Sequence, residues 1–156
     1  MTRTEHYYDD DAPAANSIVV AVTAVVPNDV GEILIQRRTD NGLWALPGGA
    51  QDVGESIAQT VVREVKEETG YDVEVTGVVG IYSNPNHVIA FSDGEVRQQF
   101  SICFTARLLG GAAATSSESS EVTFVAPEKL DDYEIHPSMR LRIDHALTHR
   151  HEPYIC

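Results

Sequence analysis

Cysteine is scarce in this chain of 156 residues, which contains only Cys103 and Cys156. Two cysteines placed so differently form neither a disulfide framework nor a zinc site. Cys103 lies within an apolar, strand-like pattern, and we expect it to be a small core residue. A reducing, cytoplasmic location is therefore the default expectation.

Long apolar segments are absent as well. No stretch approaches the roughly 20 apolar residues that cross a bilayer. Residues 1–11 are polar and acidic, a pattern that is not typical of a signal peptide. We therefore expect neither a membrane-spanning segment nor a membrane partner.

Basic residues are few: 11 Lys and Arg stand against 24 Asp and Glu, which gives a net charge of −13. Nucleic-acid backbones and anionic membranes repel such a protein. We therefore expect no polymeric nucleic acid as a partner. A protein this acidic would need cations at any site that handles phosphates.

Three glutamates form the most informative pattern that is present. Glu64, Glu67 and Glu68 stand at i, i+3 and i+4, so a helix would place them on one face. Crowded like charges cost about 0.2–0.5 kcal/mol per pair, which favours a bound cation against this face. Carboxylates suit Mg²⁺ or Mn²⁺ beside a phosphate-bearing substrate. The alternative is a solvated acidic helix face.

The surrounding residues support the helix. Ser56 is the candidate N-cap, with Gly54 and Glu55 as alternatives, and Gly70 follows the last turn, where a left-handed C-cap favours glycine. The segment 47–49, Pro-Gly-Gly, predicts a tight turn just before it. An apolar stripe for the core consists of Ile57, Ala58, Val61, Val62 and Val65.

The length predicts one domain over residues 17–156, preceded by a disordered, acidic arm over residues 1–16. Residues 17–26 and 32–37 are predicted strands that form a hairpin. A second predicted hairpin joins residues 87–91 and 95–109 through Ser-Asp-Gly. The remaining predicted elements are a bulged strand over 72–83, a flexible loop over 110–120, a strand over 121–126 and a final helix after His136-Pro137.

Residues 49–71 resemble the Nudix box. The matching fixed positions are Gly49, Glu55, Arg63, Glu64, Glu67, Glu68 and Gly70, with Val65 and Tyr71 in the apolar positions. Tyr71 departs mildly from the usual aliphatic residue. The flanking segments 44–49 and 121–130 also fit, so the resemblance spans most of residues 17–150. It implies an α/β fold, an α/β/α sandwich with a mixed sheet.

The resemblance also implies chemistry: divalent metal-dependent hydrolysis of a nucleoside diphosphate linked to another group. Glu67, Glu68 and the Gly49 carbonyl are the implied metal ligands, with Glu64 as a third carboxylate ligand or the base. Arg63 is expected to orient a neighbouring glutamate. Some members of the family use a base outside the box, and Glu118 is the candidate here, ahead of Glu121.

Substrate residues are harder to assign. Arg37 and Arg38 either hold phosphate or form a solvated strand end, and Arg97 either faces the cleft or lies on an exposed face. Pro85, 15 residues after Gly70, resembles the proline of ADP-ribose-cleaving members and favours an ADP-ribose-like substrate.

Other substrate classes stay open. The alternatives are a pyrophosphatase for canonical or oxidised nucleoside triphosphates and a non-catalytic nucleotide sensor. Trp44 either stacks on a base or packs in the core, and His87 is expected to be a surface histidine. The resemblance also suggests a small-molecule nucleotide partner and a homodimer.

Overall fold

The computed structural model describes residues 2–156, which form ten strands, two α-helices and one 3-10 helix. The strands are β1 (Arg3–Tyr7), β2 (Ser17–Val25), β3 (Ile33–Arg38), β4 (Trp44–Ala45), β5 (Gly48–Ala50), β6 (Tyr71–Tyr82), β7 (His87–Phe91), β8 (Val96–Gly111), β9 (Ser119–Val125) and β10 (Tyr154–Ile155). The helices are α1 (Ile57–Thr69) and α2 (Pro137–Leu147), and the 3-10 helix spans Pro127–Asp132.

Two sheets share these strands. The larger has seven strands in the order β1-β7-β8-β2-β5, with β6 also paired to β8 and β10 paired to β6. The pairs β2–β8 and β6–β10 are parallel and the others are antiparallel, so the sheet is mixed. The smaller sheet has the antiparallel order β4-β3-β9.

The core consists of two layers on opposite faces of these strands. Val61 and Val65 of α1 pack in a cluster with Phe104, whereas Ile143 of α2 packs in another with Cys103. Adjacent residues of β8 therefore face different helices, as the alternation of side chains along a strand requires. The predicted α/β/α sandwich with a mixed sheet is confirmed, and Cys103 is fully buried as expected.

Helix α1 has the caps that the sequence predicts. The Ser56 hydroxyl accepts from the Gln59 N–H at 3.2 Å, and the Gln59 side chain accepts from the Ser56 N–H at 2.8 Å. This reciprocal capping box stabilises a helix by about 1 kcal/mol. Gly70 ends the helix with φ of 82° and donates to the Lys66 carbonyl, the left-handed conformation that glycine adopts without strain.

The structure corrects the first predicted hairpin. The residues just after β2 meet β3 at an isolated bridge between Pro27 and Ile33, next to the hydrogen bond from the Leu34 N–H to the Val26 carbonyl. Beyond this turn the two strands separate. β2 lies between β5 and β8, and β3 lies between β4 and β9. The prediction identified both strands but paired them wrongly.

The N-terminal arm is also corrected. Arg3–Tyr7 forms strand β1, antiparallel to β7 with Arg3 opposite Phe91. The edge of β7 that does not face β8 supplies the backbone partners, so the prediction of disorder is wrong for these residues. Met1 lies outside the described residues.

Other predicted elements agree better with the structure. β7 and β8 form the expected hairpin, and the register of β6 shifts near Gly77 and Gly80, as predicted. The loop predicted over 110–120 is shorter, because β8 extends to Gly111 and β9 starts at Ser119. No helix within residues 2–156 is both long and apolar enough to cross a membrane.

Candidate active site

A cleft of about 490 Å³ lies where α1, β1, β5, β7, β8 and the start of α2 meet. The predicted site residues that line it are Arg38, Gly49, Glu64, Arg97 and Glu118. Arg37, Arg63, Glu67 and Glu68 do not line it directly, although Arg63, Glu67 and Glu68 are on α1 within one turn of Glu64. The fold therefore gathers most of the predicted site around one cavity.

Glu64 and Glu68 form a crowded carboxylate pair on α1. Their exposed fractions are only 9% and 3%. Glu68 accepts hydrogen bonds from the Gly48 N–H at 3.3 Å and from the Gln36 amide. Burial, together with the adjacent Glu64 carboxylate, raises the pKa of Glu68 well above its usual range. A divalent cation beside the pair would reverse this effect, because it favours both charged forms.

The Pro-Gly-Gly turn allows the backbone to approach this pair. A Cβ atom on Gly49 would lie 2.4 Å from Glu64 Oε1, and one on Gly48 would lie 2.0 Å from the Val22 carbonyl oxygen. Both distances are far below contact. At Gly48 the close atoms are backbone, so only glycine fits there, whereas a side chain at Gly49 would displace the Glu64 carboxylate. The turn thereby places the Gly49 backbone directly against the Glu64 carboxylate.

Arg63 connects the loop before α1 to the acidic side chains. Its guanidinium contacts the Glu55 carboxylate, Glu64 at 2.9 Å and Glu67 at 3.3 Å, and it donates to the Ala50 carbonyl at 3.1 Å. The hydrogen bonds from Arg63 hold the pKa of Glu55 at about 2. Arg63 is therefore positioned to orient these glutamates, and Glu55 links the loop before α1 to the helix through the same guanidinium.

Glu67 differs from the other two glutamates. Its side chain is 60% exposed and its carboxylate contacts Arg63. Across residues 2–156, no three His, Cys, Asp or Glu side chains are arranged to hold a metal ion. The donor chemistry still fits a divalent cation at Glu64 and Glu68, because Glu68 is buried beside another carboxylate and its hydrogen-bond partners are neutral. Glu67 would have to change rotamer to join them.

Arg37 lies outside the cleft. Its guanidinium pairs with Glu121 at 3.0 Å and donates to the Gly42 carbonyl at 3.0 Å. Both side chains of this pair are about half exposed. The alternative of a solvated strand end therefore describes Arg37 best, and Glu121 serves as its partner.

Arg38 and Arg97 both line the cleft and both have a carboxylate partner. Arg38 binds Asp40 through two hydrogen bonds of 2.9 and 2.7 Å. Arg97 binds Glu95 through two of 3.0 and 2.9 Å, and its guanidinium lies 4.7 Å from the centre of the Phe91 ring. Either arginine can offer its remaining N–H groups to a phosphate.

Glu118 is exposed at the mouth of the cleft, in the loop between β8 and β9. Its carbonyl accepts from the Thr39 N–H at 3.1 Å, so the backbone of the loop is held in place. The side chain makes no hydrogen bond within the described part of the chain. Among the residues considered as a base outside the box, Glu118 borders the cleft and Glu121 does not.

Trp44 packs against the core, which is one of its two predicted roles, and stacking on a base stays a prediction. Its ring packs edge-on against Tyr133, with the ring centres 5.1 Å apart, and it lines the cleft. Packing against the cluster that contains Ile143 holds the indole in place. One face of the cleft is therefore aromatic and rigid.

A group of residues at the other end of the cleft was missed by sequence reasoning. His87, expected at the surface, is 5% exposed; its Nε2 lies 2.6 Å from Glu5 Oε1. His136 stacks on His87 with ring centres 5.6 Å apart. Burial opposes ionisation of Glu5, but the His87 hydrogen bond and nearby positive charge outweigh it and hold the pKa of Glu5 at about 2. Glu5 and His87 are 82 positions apart in the sequence, so no local pattern reveals this contact.

The sequence matches the family model of the NUDIX domain over residues 18–146, and the chain belongs to this family of hydrolases. It is 37% identical over 113 residues to a MutT-like protein of Streptomyces ambofaciens, covering 72% of this chain and 67% of that protein. It is 36% identical to a putative 8-oxo-dGTP diphosphatase of Bacillus subtilis, covering 68% and 65% of the two chains. An ADP-ribose pyrophosphatase of Methanocaldococcus jannaschii is 35% identical, with 67% and 60% covered.

Solved structures show the same fold. An ADP-ribose pyrophosphatase of Streptococcus suis superposes with a TM-score of 0.65 at 29% identity, covering 88% of this chain and 96% of that one. A NUDIX hydrolase of Nitrosomonas europaea superposes with a TM-score of 0.73 at 22% identity, covering 90% and 77%. The matched region makes up 60–67% of the length of the three curated relatives named above.

Proposed function

We propose that the protein hydrolyses the pyrophosphate bond of a nucleoside diphosphate linked to another group, in a reaction that depends on Mg²⁺ or Mn²⁺. The observation that carries the proposal is the buried Glu64–Glu68 pair, set against the Gly49 backbone at the edge of the cleft. Two carboxylates this close are costly unless a cation lies beside them. The family of the chain and the names of its relatives support the same chemistry.

Glu64, Glu68 and the Gly49 carbonyl would hold the cation, with Glu67 joining after a change of rotamer. When bound, the metal neutralises charge on the phosphoryl oxygens and lowers the pKa of the attacking water. The protein supplies position: Arg63 fixes Glu64, and Gly48 fixes Glu68 through its N–H. Positioning and charge stabilisation provide most of the catalysis in phosphoryl transfer.

The proton of the attacking water has two candidate acceptors. Glu64 lines the cleft and is already held by Arg63, so it accepts the proton if it is not fully engaged with the metal. Glu118 lies at the mouth of the cleft with a free, exposed side chain. Separate Glu64→Gln and Glu118→Gln variants distinguish the two, because loss of the base removes the acid limb of the pH–rate profile.

The substrate-binding proposal rests on Arg38 and Arg97, the two predicted arginines that line the cleft. Arg37 is withdrawn from the site by its pairing with Glu121. We favour an ADP-ribose-like substrate, because the relatives from M. jannaschii and S. suis are both named ADP-ribose pyrophosphatase. A pyrophosphatase for oxidised or canonical triphosphates is the second candidate, favoured by the B. subtilis relative. The homodimer and the cytoplasmic location stay predictions.

The test is product analysis on a nucleotide panel with Mg²⁺ or Mn²⁺. The panel contains ADP-ribose, sugar nucleotides, and canonical and oxidised triphosphates. We expect ADP-ribose to be split into two monophosphates and Glu68→Gln to lose activity by orders of magnitude. Glu74→Gln, an exposed carboxylate on β6 paired with Arg107, is the matched control and should keep full activity. Nucleotide binding without hydrolysis across the whole panel would support the sensor alternative instead.

A further inference from the structure

Among residues 2–156, Arg142 is a buried cation without a carboxylate partner. It lies on α2 with an exposed fraction of 1%. Its Nη1 donates to the Ser138 carbonyl at 2.8 Å, and the guanidinium lies 4.6 Å from the centre of the Tyr82 ring. Its Nε has no hydrogen-bond partner among the described residues. Buried charges in proteins are normally paired, because burying a charge without a partner is unfavourable.

The space beside Arg142 has the complementary composition. A cavity of about 60 Å³ lies against the guanidinium, with room for a few waters or one group the size of a phosphate. Four tyrosines line it together with Asn84, His87, Gln99, Ser138, Leu141 and Cys156. No Asp or Glu side chain contributes to the lining, although the chain has 24 of them. In this acidic protein the cavity is a local exception.

We propose that this cavity is a binding site for a small oxyanion, a phosphate or a carboxylate, which Arg142 holds through its unpaired N–H groups. A planar guanidinium with free donors matches an oxyanion in both charge and geometry. The cation–π contact with Tyr82 and the hydrogen bond to the Ser138 carbonyl hold the Arg142 guanidinium in place. The site is separate from the carboxylate pair, which would repel an anion.

The oxyanion has two sources. His87, Gln99 and Arg142 border both this cavity and the large cleft, so only one layer of side chains separates the two spaces. The anion is therefore either free in solution or the charged end of a substrate that extends from the cleft. The second source rests on the proposed hydrolase function, and the first does not.

The primary test is a calorimetric titration of inorganic phosphate into the metal-free full chain, at constant ionic strength and in EDTA. We expect saturable binding to the wild type and a loss of affinity of about tenfold or more in Arg142→Met. Arg140→Met is the matched control, since Arg140 is on the same helix but lies at the surface, paired with Asp131 and Asp144. It should bind phosphate as the wild type does.

A second measurement separates binding from folding. An unpaired buried charge kept for a ligand contributes little to the fold, so Arg142→Met should melt no lower than the wild type when phosphate is absent. If that variant does not fold, Arg142→Lys replaces it. Lysine keeps the charge but lacks the planar set of N–H donors of the guanidinium, so phosphate should bind several-fold more weakly. The proposal is overturned if the wild type shows no saturable binding, or if the Arg142 variants bind phosphate as Arg140→Met does.

Hydrolysis assays then identify the source. If the anion belongs to the substrate, Arg142→Met raises KM only for substrates whose second group carries an additional phosphate or carboxylate. If Arg142→Met loses phosphate binding but leaves KM unchanged for substrates with and without the additional phosphate or carboxylate, the site binds a free anion. A chain that hydrolyses nothing still yields the phosphate titration, so failure of the hydrolase proposal and failure of this site are distinguishable.

Discussion

Replacing Glu68 with glutamine probes the carboxylate pair in the metal-free protein. Burial and the neighbouring Glu64 raise the pKa of Glu68 in the folded state. Between its ordinary pKa and this raised value, the folded protein binds a proton that the unfolded chain has released, so stability falls as the pH rises through that range. At pH 8 the pair is therefore a source of instability that a divalent cation removes.

The magnitude follows from the proton affinity. A tenfold change in the proton affinity of a group corresponds to about 1.4 kcal/mol. The rise in the pKa of Glu68 on folding is larger than this tenfold change. The introduced glutamine keeps the size of the side chain, and its amide oxygen can still accept from the Gly48 N–H. Its amide NH₂ group can donate to Gln36 Oε1, which has no hydrogen-bond partner among the described residues, once the Gln36 amide turns. In EDTA at pH 8, we expect Glu68→Gln to raise the free energy of unfolding by about 2 kcal/mol, or 4–8 °C in Tm.

Adding the divalent cation should make the wild type more stable than Glu68→Gln, which reverses their order in EDTA. At a cation concentration of 100 Kd the wild type gains about 2.7 kcal/mol, and Glu68→Gln should gain little. Urea unfolding in EDTA and in Mg²⁺ or Mn²⁺ measures both effects. Glu67→Gln removes the same charge from an exposed position and should change metal-free stability by less than about 0.5 kcal/mol. The reasoning is refuted if Glu68→Gln is less stable than the wild type in EDTA, or if the cation stabilises both proteins equally.

Three further substitutions test other parts of the site and the fold. Gly49→Ala places a methyl group on the Glu64 carboxylate, so we expect turnover to fall at least tenfold while the melting temperature changes little, since a flexible side chain can move aside. Glu5→Gln removes a carboxyl whose pKa is held at about 2 beside His87; the wild type should lead in stability above about pH 4.5, and acid titration by circular dichroism should show that lead disappearing between pH 4.5 and 2. Ser56→Ala should cost about 1 kcal/mol in urea unfolding through the lost cap, whereas Ser56→Thr should keep most of it.

Local patterns predicted much of the fold because they depend on neighbouring residues. The caps of α1, the hairpin between β7 and β8 and the bulges in β6 all follow from turn and cap chemistry within a few positions. Sheet order depends on contacts far apart in the sequence. This is why both β2 and β3 were identified while their partners, β8 and β9, were not.

The candidate site shows the same division. The box residues Gly49, Arg63 and Glu64 share one loop and one helix, so their spacing predicts their proximity. The wall formed by Glu5 and Arg142 comes from opposite ends of the chain and has no local pattern. Whether an arginine already has a carboxylate partner cannot be judged from its position in the sequence either.

Strand β1 has a practical consequence for anyone preparing shortened versions of this protein. The family match covers residues 18–146, whereas the cleft wall includes Arg3 and Glu5, and β10 follows at Tyr154. A polypeptide trimmed to the match would leave the edge of β7 bare, and bare edges recruit other chains into aggregates. Purification tags are therefore best separated from Arg3 by a flexible spacer.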